Sequence, residues 1–516
     1  MKRLCLIICL ALLGIAVQAQ KYAPKERVKV SAPAPYGPVP TAAQVAWQRM
    51  EMNMFCHFGP NTFTGLEWGE GTETEDIFNP TALDCNQWVA VAKNAGFGGI
   101  ILTAKHHDGF CLWPNPASTH TVRESAWRNG QGDVLKELSE ACKQGGVKFG
   151  IYISPWDRNA PTYGTPEYNK VFLKTLQSAH TKYGVIFEQW FDGANGEGPN
   201  GKRQVYDWKK FNAQTHKLQP NAVIFSDVGP GCRWVGNEEG TCGRTCWSRL
   251  DVEGFGPGAD SPSQDTLNVG NYNGACWVPA ETDVSIRPGW FWRDSEHPKT
   301  VQELLKIYYN SVGRNSLLLL NVPPDNRGLI PAEDSLRLME FRAALDSIFA
   351  HDLLVEAANS ERFFGICASN VRNSDHQSCR CWDNIPAYMR GRENHCWSFR
   401  YSPAFLIGNN YDTYWATDDT VTTAWVEFEF YEPQTFNRVM LQEYIPLGQR
   451  VEKFHIEIQE DNGNWRTIAE ETTIGYKRIV LTETVSTTRV RLYIDQSRAC
   501  PLLNRFGLFY DDIYDM

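Results

Sequence analysis

The sequence predicts an α/β fold, a (β/α)8-like TIM barrel followed by an antiparallel β-sandwich. Two patterns point there. From about residue 41 to residue 349, short continuous apolar runs alternate with stretches of helical period, which is how a parallel sheet buried on both faces reads. From about residue 410 the period changes to two, with turn residues between short runs, as in an antiparallel sandwich. A chain of 516 residues also exceeds what one hydrophobic core organises.

Taken in order, residues 1–19 read as a signal peptide. Lys2 and Arg3 precede an apolar run from Leu4 to Val17, and Val17-Gln18-Ala19 offers a small-residue cleavage site. The run is short for a membrane span, and no later stretch is long and apolar enough for one. The protein is therefore expected to be exported, to the periplasm or the medium. Residues 21–40 are Pro-rich and extended. Thr41 is placed to cap a helix running to about Met50. Residues 99–103 (GIILT), 148–154, 185–191 (VIFEQWF), 222–226 and 316–322 are expected strands. Residues 133–144, 168–183, 207–218 and 331–349 are expected helices. Over some 300 residues a closed βα barrel is the economical arrangement, and no GxGxxG follows the first strand to favour an open doubly wound sheet. The catalytic domain is assigned to residues 20–349 and the sandwich to 350–516, with strands at 425–430, 437–443, 453–460, 478–481 and 488–494.

Composition narrows the function. A net charge of -10 gives no electrostatic grip on phosphate backbones, so nucleic acid is excluded as a partner. The chain holds 18 Trp, 20 Tyr and 26 Phe; flat rings suit both sugar faces and a large core. Beyond Cys5 and Cys9, thirteen cysteines remain. Cys232, Cys242, Cys246 and Cys276 form one group, and Cys367, Cys379, Cys381 and Cys396 another. No CxxC pair supports structural zinc, and no disulfide pairing can be read.

Catalytic groups of a TIM barrel sit at the C-terminal ends of its strands. Polar residues collect there: Lys105-His106-His107-Asp108 after residues 99–103, Ser154-Pro155-Trp156-Asp157 after residues 148–154, and Asp192 after residues 185–191, while His57 lies in residues 55–60 (FCHFGP), before the first helical turn of the barrel. Asp192 follows Trp190 and Phe191 and precedes Gly193, a small residue that leaves room for a sugar ring. Glycoside hydrolysis needs two carboxyl groups. From position alone, a reacting carboxylate and an Asp capping the next helix are equally good readings of Asp192. Adjacent His106 and His107 lack the i, i+4 spacing of a helical metal pair, whereas neutral imidazoles suit sugar hydroxyls.

Five co-linear motifs carry a resemblance: residues 52–63 (MNMFCHFGPNTF), 105–113 (KHHDGFCLW), 190–194 (WFDGA), 233–238 (RWVGNE) and 311–323 (SVGRNSLLLLNVP). Together they resemble glycoside hydrolase family 29, the α-L-fucosidases. RWVGNE, with residues 277–292 (WVPAETDVSIRPGWFW), resembles the branch that prefers α-1,3- and α-1,4-linked fucose. The resemblance implies an exo-acting retaining hydrolase of fucosylated oligosaccharides or glycoconjugates that needs no cofactor. It implies Asp192 as nucleophile and Glu238 as general acid/base, with Glu239 one residue away. It places His57, Glu67, Trp68, His106, His107, Tyr152, Trp190 and either Trp290 or Trp292 around the fucose. The C-terminal region, through residues 416–419 and 438–443, resembles galactose-binding-like (discoidin-type) sandwiches. Relatives of that domain bind sugars or a structural calcium ion, and many only pack against a barrel. Residues 367–397 form a Cys-rich departure from the pattern. Two rival readings are a catalytically silent carbohydrate-binding protein and a retaining glycosidase for another sugar. Oligomeric state is not legible.

Overall fold

The computed structural model describes residues 31–360, 362–372 and 400–514. The expected leader over residues 1–19 and most of the Cys-rich stretch 367–397 lie outside the described residues. Among the described residues no helix is long and apolar enough to cross a membrane.

Eight parallel strands close into a barrel in the order β1 (Met52–Cys56), β2 (Gly99–Lys105), β3 (Lys148–Ile153), β4 (Glu188–Trp190), β5 (Val223–Ser226), β6 (Cys232–Trp234), β9 (Ala280–Ser285) and β10 (Ser316–Asn321), which returns to β1. Capping fixes where several helices start. Thr41 forms a capping box with Gln44 ahead of helix Ala42–Gln48. Asp133 accepts from Lys136 N–H ahead of Val134–Gly145, and Asp207 from Lys210 N–H ahead of Trp208–Leu218. Each satisfies amide groups that the first turn leaves without intrahelical partners.

Two parts of the barrel depart from the sequence expectation. The strand expected at 185–191 is limited to Glu188–Trp190, of which Gln189 and Trp190 pair on both sides, and Val185 stands outside the sheet, 79% exposed. Strict βα alternation also fails after β5. Residues 227–231 alone link β5 to β6, and a two-stranded sheet, β7 (Arg249–Leu250) with β8 (Cys276–Trp277), fills part of the long passage to β9.

Inward side chains fill the barrel in layers, as alternation along each strand requires. Tyr152 lies opposite Trp190, and Trp190 opposite Phe225. Trp190 stacks on Phe225 with ring centroids 3.9 Å apart, and Phe55 completes the aromatic layer. This layer is the floor of the site above it.

Beyond helix Ala332–Phe349, seven antiparallel strands enclose a second core. The paired segments expected at 425–430 and 437–443 are one bent strand, β13 (Ala424–Glu443). Those expected at 478–481 and 488–494 are likewise one strand, β16 (Arg478–Ser497). Register shifts after Glu429 and Phe436 mark the bends that let each strand serve both layers. β14 (Val451–Gln459) falls where expected. β11 (Phe363–Ala368), β12 (Trp415–Ala416), β15 (Trp465–Glu471) and β17 (Leu502–Phe509) complete the sheet.

The sandwich grips the barrel loop that runs from β6 to β7. Arg244 pairs with Glu471 at 2.9 Å, Thr245 bonds Thr472 at 3.0 Å, and Cys246 N–H donates to Thr473 Oγ1 at 2.9 Å. Gln449 donates to Cys246 O at 2.9 Å and accepts from Ser248 N–H at 2.7 Å. Glu471 also pairs with Arg478, which is 3% exposed, whereas Arg244 is 64% exposed. Removing one partner of a buried pair strands a charge, while an exposed pair is worth little. Glu471→Ala is therefore expected to cost about 3–5 kcal/mol and Arg244→Ala less than about 1 kcal/mol, compared by denaturant unfolding.

Candidate active site

Asp192 stands just past the end of β4, two residues beyond Trp190 and on the same face. Its carboxylate is held by two donors. Ala194 N–H donates to Oδ1 at 2.7 Å and the Tyr152 hydroxyl to Oδ2 at 2.9 Å. His107 Nε2 lies 3.7 Å from the same Oδ2. Gly193 does not leave room for a sugar. A Cβ there would come within 2.6 Å of Asp227 Oδ2 and of Gly258 N, so the residue is small because a carboxyl and a backbone already occupy the space.

The histidines are fixed and neutral. His57 Nδ1 is 2.9 Å from Asn321 Oδ1, while Asn321 Nδ2 donates to Trp290 O at 2.8 Å and Ser285 Oγ at 2.9 Å. With the amide so oriented, Oδ1 accepts, and the His57 hydrogen sits on Nδ1, leaving Nε2 as an acceptor. His107 Nδ1 is 2.8 Å from Ser154 Oγ, which already accepts from Trp156 N–H. In the tautomer with its hydrogen on Nε2, His107 accepts the serine hydrogen at Nδ1 and turns an N–H toward Asp192. Burial lowers His57 to about 3 and His107 to about 4, and it also lowers His106. The interior disfavours their charged forms. His106 stacks on Tyr152, and Phe291 packs edge-on against both His57 and His106.

Glu238 belongs to the loop after β6 and stands exposed at a cavity mouth. The Trp290 indole N–H donates to its Oε2 at 3.1 Å. Partial burial raises its pKa; the Trp290 bond opposes this, and charges on Asp192 and Glu67 add to the rise. Glu239 does not line the cavity that Glu238 borders. Trp290, rather than Trp292, joins the site, tilted against His57 with centroids 4.9 Å apart. Glu67 accepts from Trp290 N–H at 2.5 Å and pairs with Arg293. Trp68 is 56% exposed and meets His107 and Trp156 edge-on. The structure thus brings together all ten residues singled out in the sequence.

Trp190, Asp192 and Glu238 share a cavity of about 670 Å³ with Trp234, Asp227, Asp283 and the side chains of Tyr206, Trp208 and Gln264. Sequence reasoning missed several of these. Asn321 ends a long apolar strand, and its polarity there was a usable signal. Asp283 and Asp227 gave none, being single acidic residues in segments of ordinary polarity. Burial raises Asp227 to about 6 and Asp283 well above the carboxylate range, with charge from Glu238 adding to Asp283.

Two family models match the sequence: alpha-L-fucosidase over residues 36–346 and F5/8 type C domain over residues 391–505. The chain is 42% identical to Alpha-L-fucosidase 1 of Arabidopsis thaliana over 482 residues, covering 93% of this chain and 89% of that protein. It is 44% identical to putative alpha-L-fucosidase 1 of Oryza sativa subsp. japonica over 480 residues, covering 93% and 86%. Among solved structures, a putative alpha-L-fucosidase from Bacteroides thetaiotaomicron superposes with a TM-score of 0.82 at 37% identity, covering 94% of this chain and all of that one. A Ruminococcus gnavus GH29 fucosidase in complex with fucose superposes with a TM-score of 0.81 at 30% identity, covering 95% and 98%. A closed parallel barrel, the clustered carboxyl and imidazole groups and these likenesses over nearly the whole chain agree: the protein belongs to the α-L-fucosidase family, glycoside hydrolase family 29, and is an α-L-fucosidase.

Proposed function

We propose that this fucosidase is an exported, retaining exo-enzyme that releases α-1,3- or α-1,4-linked fucose from branched glycans by double displacement. One observation carries the mechanism: the Asp192 carboxylate is held by Tyr152 and Ala194 beside a cavity whose mouth bears Glu238, an acid with a raised pKa. Asp192 attacks the anomeric carbon while protonated Glu238 donates to the departing oxygen. Glu238 then deprotonates water, which releases fucose with its configuration retained. No step requires a metal or organic cofactor. Neutral His57, His106 and His107 offer fixed donors and acceptors to the sugar hydroxyls, and Trp68, Trp190 and Trp290 supply apolar faces. Glu67 steadies Trp290 through its backbone N–H and leaves its second oxygen to Arg293.

Asp192→Asn and Asp192→Ala are expected to fold normally and to lose more than about 10³-fold in kcat. Azide, entering from the face the carboxylate vacated, should partly restore turnover of the Ala variant and yield β-fucosyl azide. Near-normal turnover by Asp192→Asn would refute the nucleophile.

Glu238→Ala is expected to lose about 10²–10⁴-fold on natural glycans and far less on aryl fucosides whose leaving groups need no proton. In the wild type, kcat/KM on glycans should fall on the alkaline side as Glu238 loses its proton. With a dinitrophenyl leaving group that fall should be absent. Because His57 and His107 titrate near 3 and 4, they contribute no step between pH 5 and 8. The same loss on both substrate types, or the pattern appearing in Glu239→Ala instead, would move the acid/base role.

Linkage preference has a physical form. Fucose in a Lewis-type branch sits beside a galactose, so selectivity needs a second subsite. The cavity continues past Asp192 and Glu238 to Tyr206, Trp208, Trp234 and Gln264, aromatic and polar groups suited to another ring. Residues 257–261 and Asp283 contribute walls as well. Binding the galactose lowers the barrier only if the contact is kept in the transition state, so it should appear in kcat/KM. Lewis-a or Lewis-x trisaccharide should be hydrolysed at least about tenfold more efficiently than 2′-fucosyllactose, a difference of about 1.4 kcal/mol, as read by fucose release. Comparable rates would remove the linkage reading and leave the fucosidase standing.

A further inference from the structure

Beneath the aromatic layer, inside the barrel, stand three polar side chains that the proposed mechanism does not use. Glu188 begins β4, Cys232 begins β6 and Glu281 is the second residue of β9; all three are fully buried. Each carboxyl has one oxygen bonded to a tryptophan indole. Trp47 Nε1 donates to Glu188 Oε2 at 2.7 Å, and Trp190 Nε1 donates to Glu281 Oε1 at 2.8 Å. Glu188, Cys232 and Glu281 each bring a ligating atom to one spot, within 4.8 Å of one another. The thiol donates to Glu188 Oε1 at 3.7 Å, and Glu281 Oε2 is buried with no hydrogen-bond partner unless a proton lies between the carboxyls. Two ionised carboxylates at that range in an apolar interior oppose each other and their own burial. One shared proton converts the repulsion into a charge-assisted hydrogen bond.

We propose that Glu188 and Glu281 hold one proton between them, and that Glu281 is a positioning residue for the nucleophile. It fixes the Trp190 indole, which stacks on Tyr152 at 5.2 Å and 27°, and the Tyr152 hydroxyl holds Asp192. The positioning half rests on Asp192 as nucleophile; the shared proton does not.

Burial, then the charge of Glu188, raises Glu281 well above the carboxylate range; burial also raises Glu188, against hydrogen bonds from Glu281, Trp47 and Cys232 that favour its ionised form, so the proton of the pair lies on Glu281. The other titratable groups facing the pair are Cys232 from β6, Asp283 above Glu281 on β9, and Tyr152 from β3. β1, β2, β5 and β10 turn apolar side chains to it, including Phe55, Ile101, Val223 and Leu317. A carboxyl whose folded pKa is raised stabilises the fold below its unfolded pKa, and that stability is lost as pH rises toward the folded value. Folding above about pH 5 must therefore take up a proton at Glu281.

Glu281→Gln mimics the protonated acid: its amide oxygen accepts from Trp190 and its NH2 donates to Glu188. The unfolding constant of the wild type relative to Glu281→Gln should rise about tenfold per pH unit between pH 5 and pH 7. Parallel stability curves would overturn the shared proton. So would one equivalent of a divalent ion found by elemental analysis of the purified protein, since the same donors could hold one. On 4-nitrophenyl α-L-fucoside, Glu281→Gln should keep kcat within about threefold, while Glu281→Leu should lower kcat at least about tenfold with little change in KM. Trp190→Phe removes the same hydrogen bond from the other side and serves if the Leu variant does not accumulate. Wild-type kcat in both Glu281→Leu and Trp190→Phe would overturn the positioning role. If Asp192→Asn proved active, the nucleophile reading would fail, and the pH–stability comparison would still report on the pair.

Discussion

The site depends on one geometric constraint, the alternation of side chains along β4. Every second residue of a barrel strand points inward, so Glu188, Trp190 and Asp192 form one column. Each occupies a different dielectric environment. Glu188 lies in the sealed interior, Trp190 in the aromatic floor, and Asp192 at the rim, where its side chain is 24% exposed. A one-residue slip would turn Asp192 outward and Phe191 inward. Flanking bonds resist such a slip: Phe187 N–H donates to Phe149 O, and Phe191 N–H to Phe225 O, each at 3.0 Å. Trp190, packed on Tyr152 and Phe225, resists rotation of the strand.

The opposite carboxyl is held by different means. Glu238 has no strand beneath it; it sits on a loop, where geometry is less precise. The molecule compensates from two directions. Trp290 bonds the carboxyl itself, and Trp290 is held in turn by Glu67, Asn321 and His57. From outside the barrel, the sandwich clasps the following residues through Glu471, Thr472, Thr473 and Gln449. The C-terminal domain is thus part of the frame of the cavity, whatever else it binds.

This arrangement explains which features were legible in the sequence. β2, β3 and β10 read clearly because their burial on both faces produces unbroken apolar runs. β6, three residues long, and β9, with inward Glu281 and Asp283, break that pattern and were not seen. In the sandwich, β17 is buried along its whole length and no residue of β15 is buried, so neither shows alternation. β13 and β16 read as pairs of strands because their bends interrupt the period. At the site, residues inside co-linear motifs were found, including Trp68 and Glu67 on a loop. Asp227, Asp283 and the Glu188–Glu281 pair were not, because their significance lies in neighbours distant in the chain.

Charge at the rim follows from the same burial. Several titratable groups crowd around Asp192, and burial disfavours the charged forms of the histidines and of Asp227 and Asp283. Asp192 accepts two hydrogen bonds, from the Tyr152 hydroxyl and from Ala194 N–H. On the proposed mechanism positive charge develops on the sugar ring, and the nearest fixed anion is then the group that must bond to it. A charged imidazole beside Asp192 would oppose that development, and a second ionised carboxylate would share the attraction without the geometry to react. On the proposed mechanism, burying the histidines in neutral form leaves the Asp192 carboxylate, aimed by Tyr152 and Ala194, as the fixed anion facing the anomeric carbon.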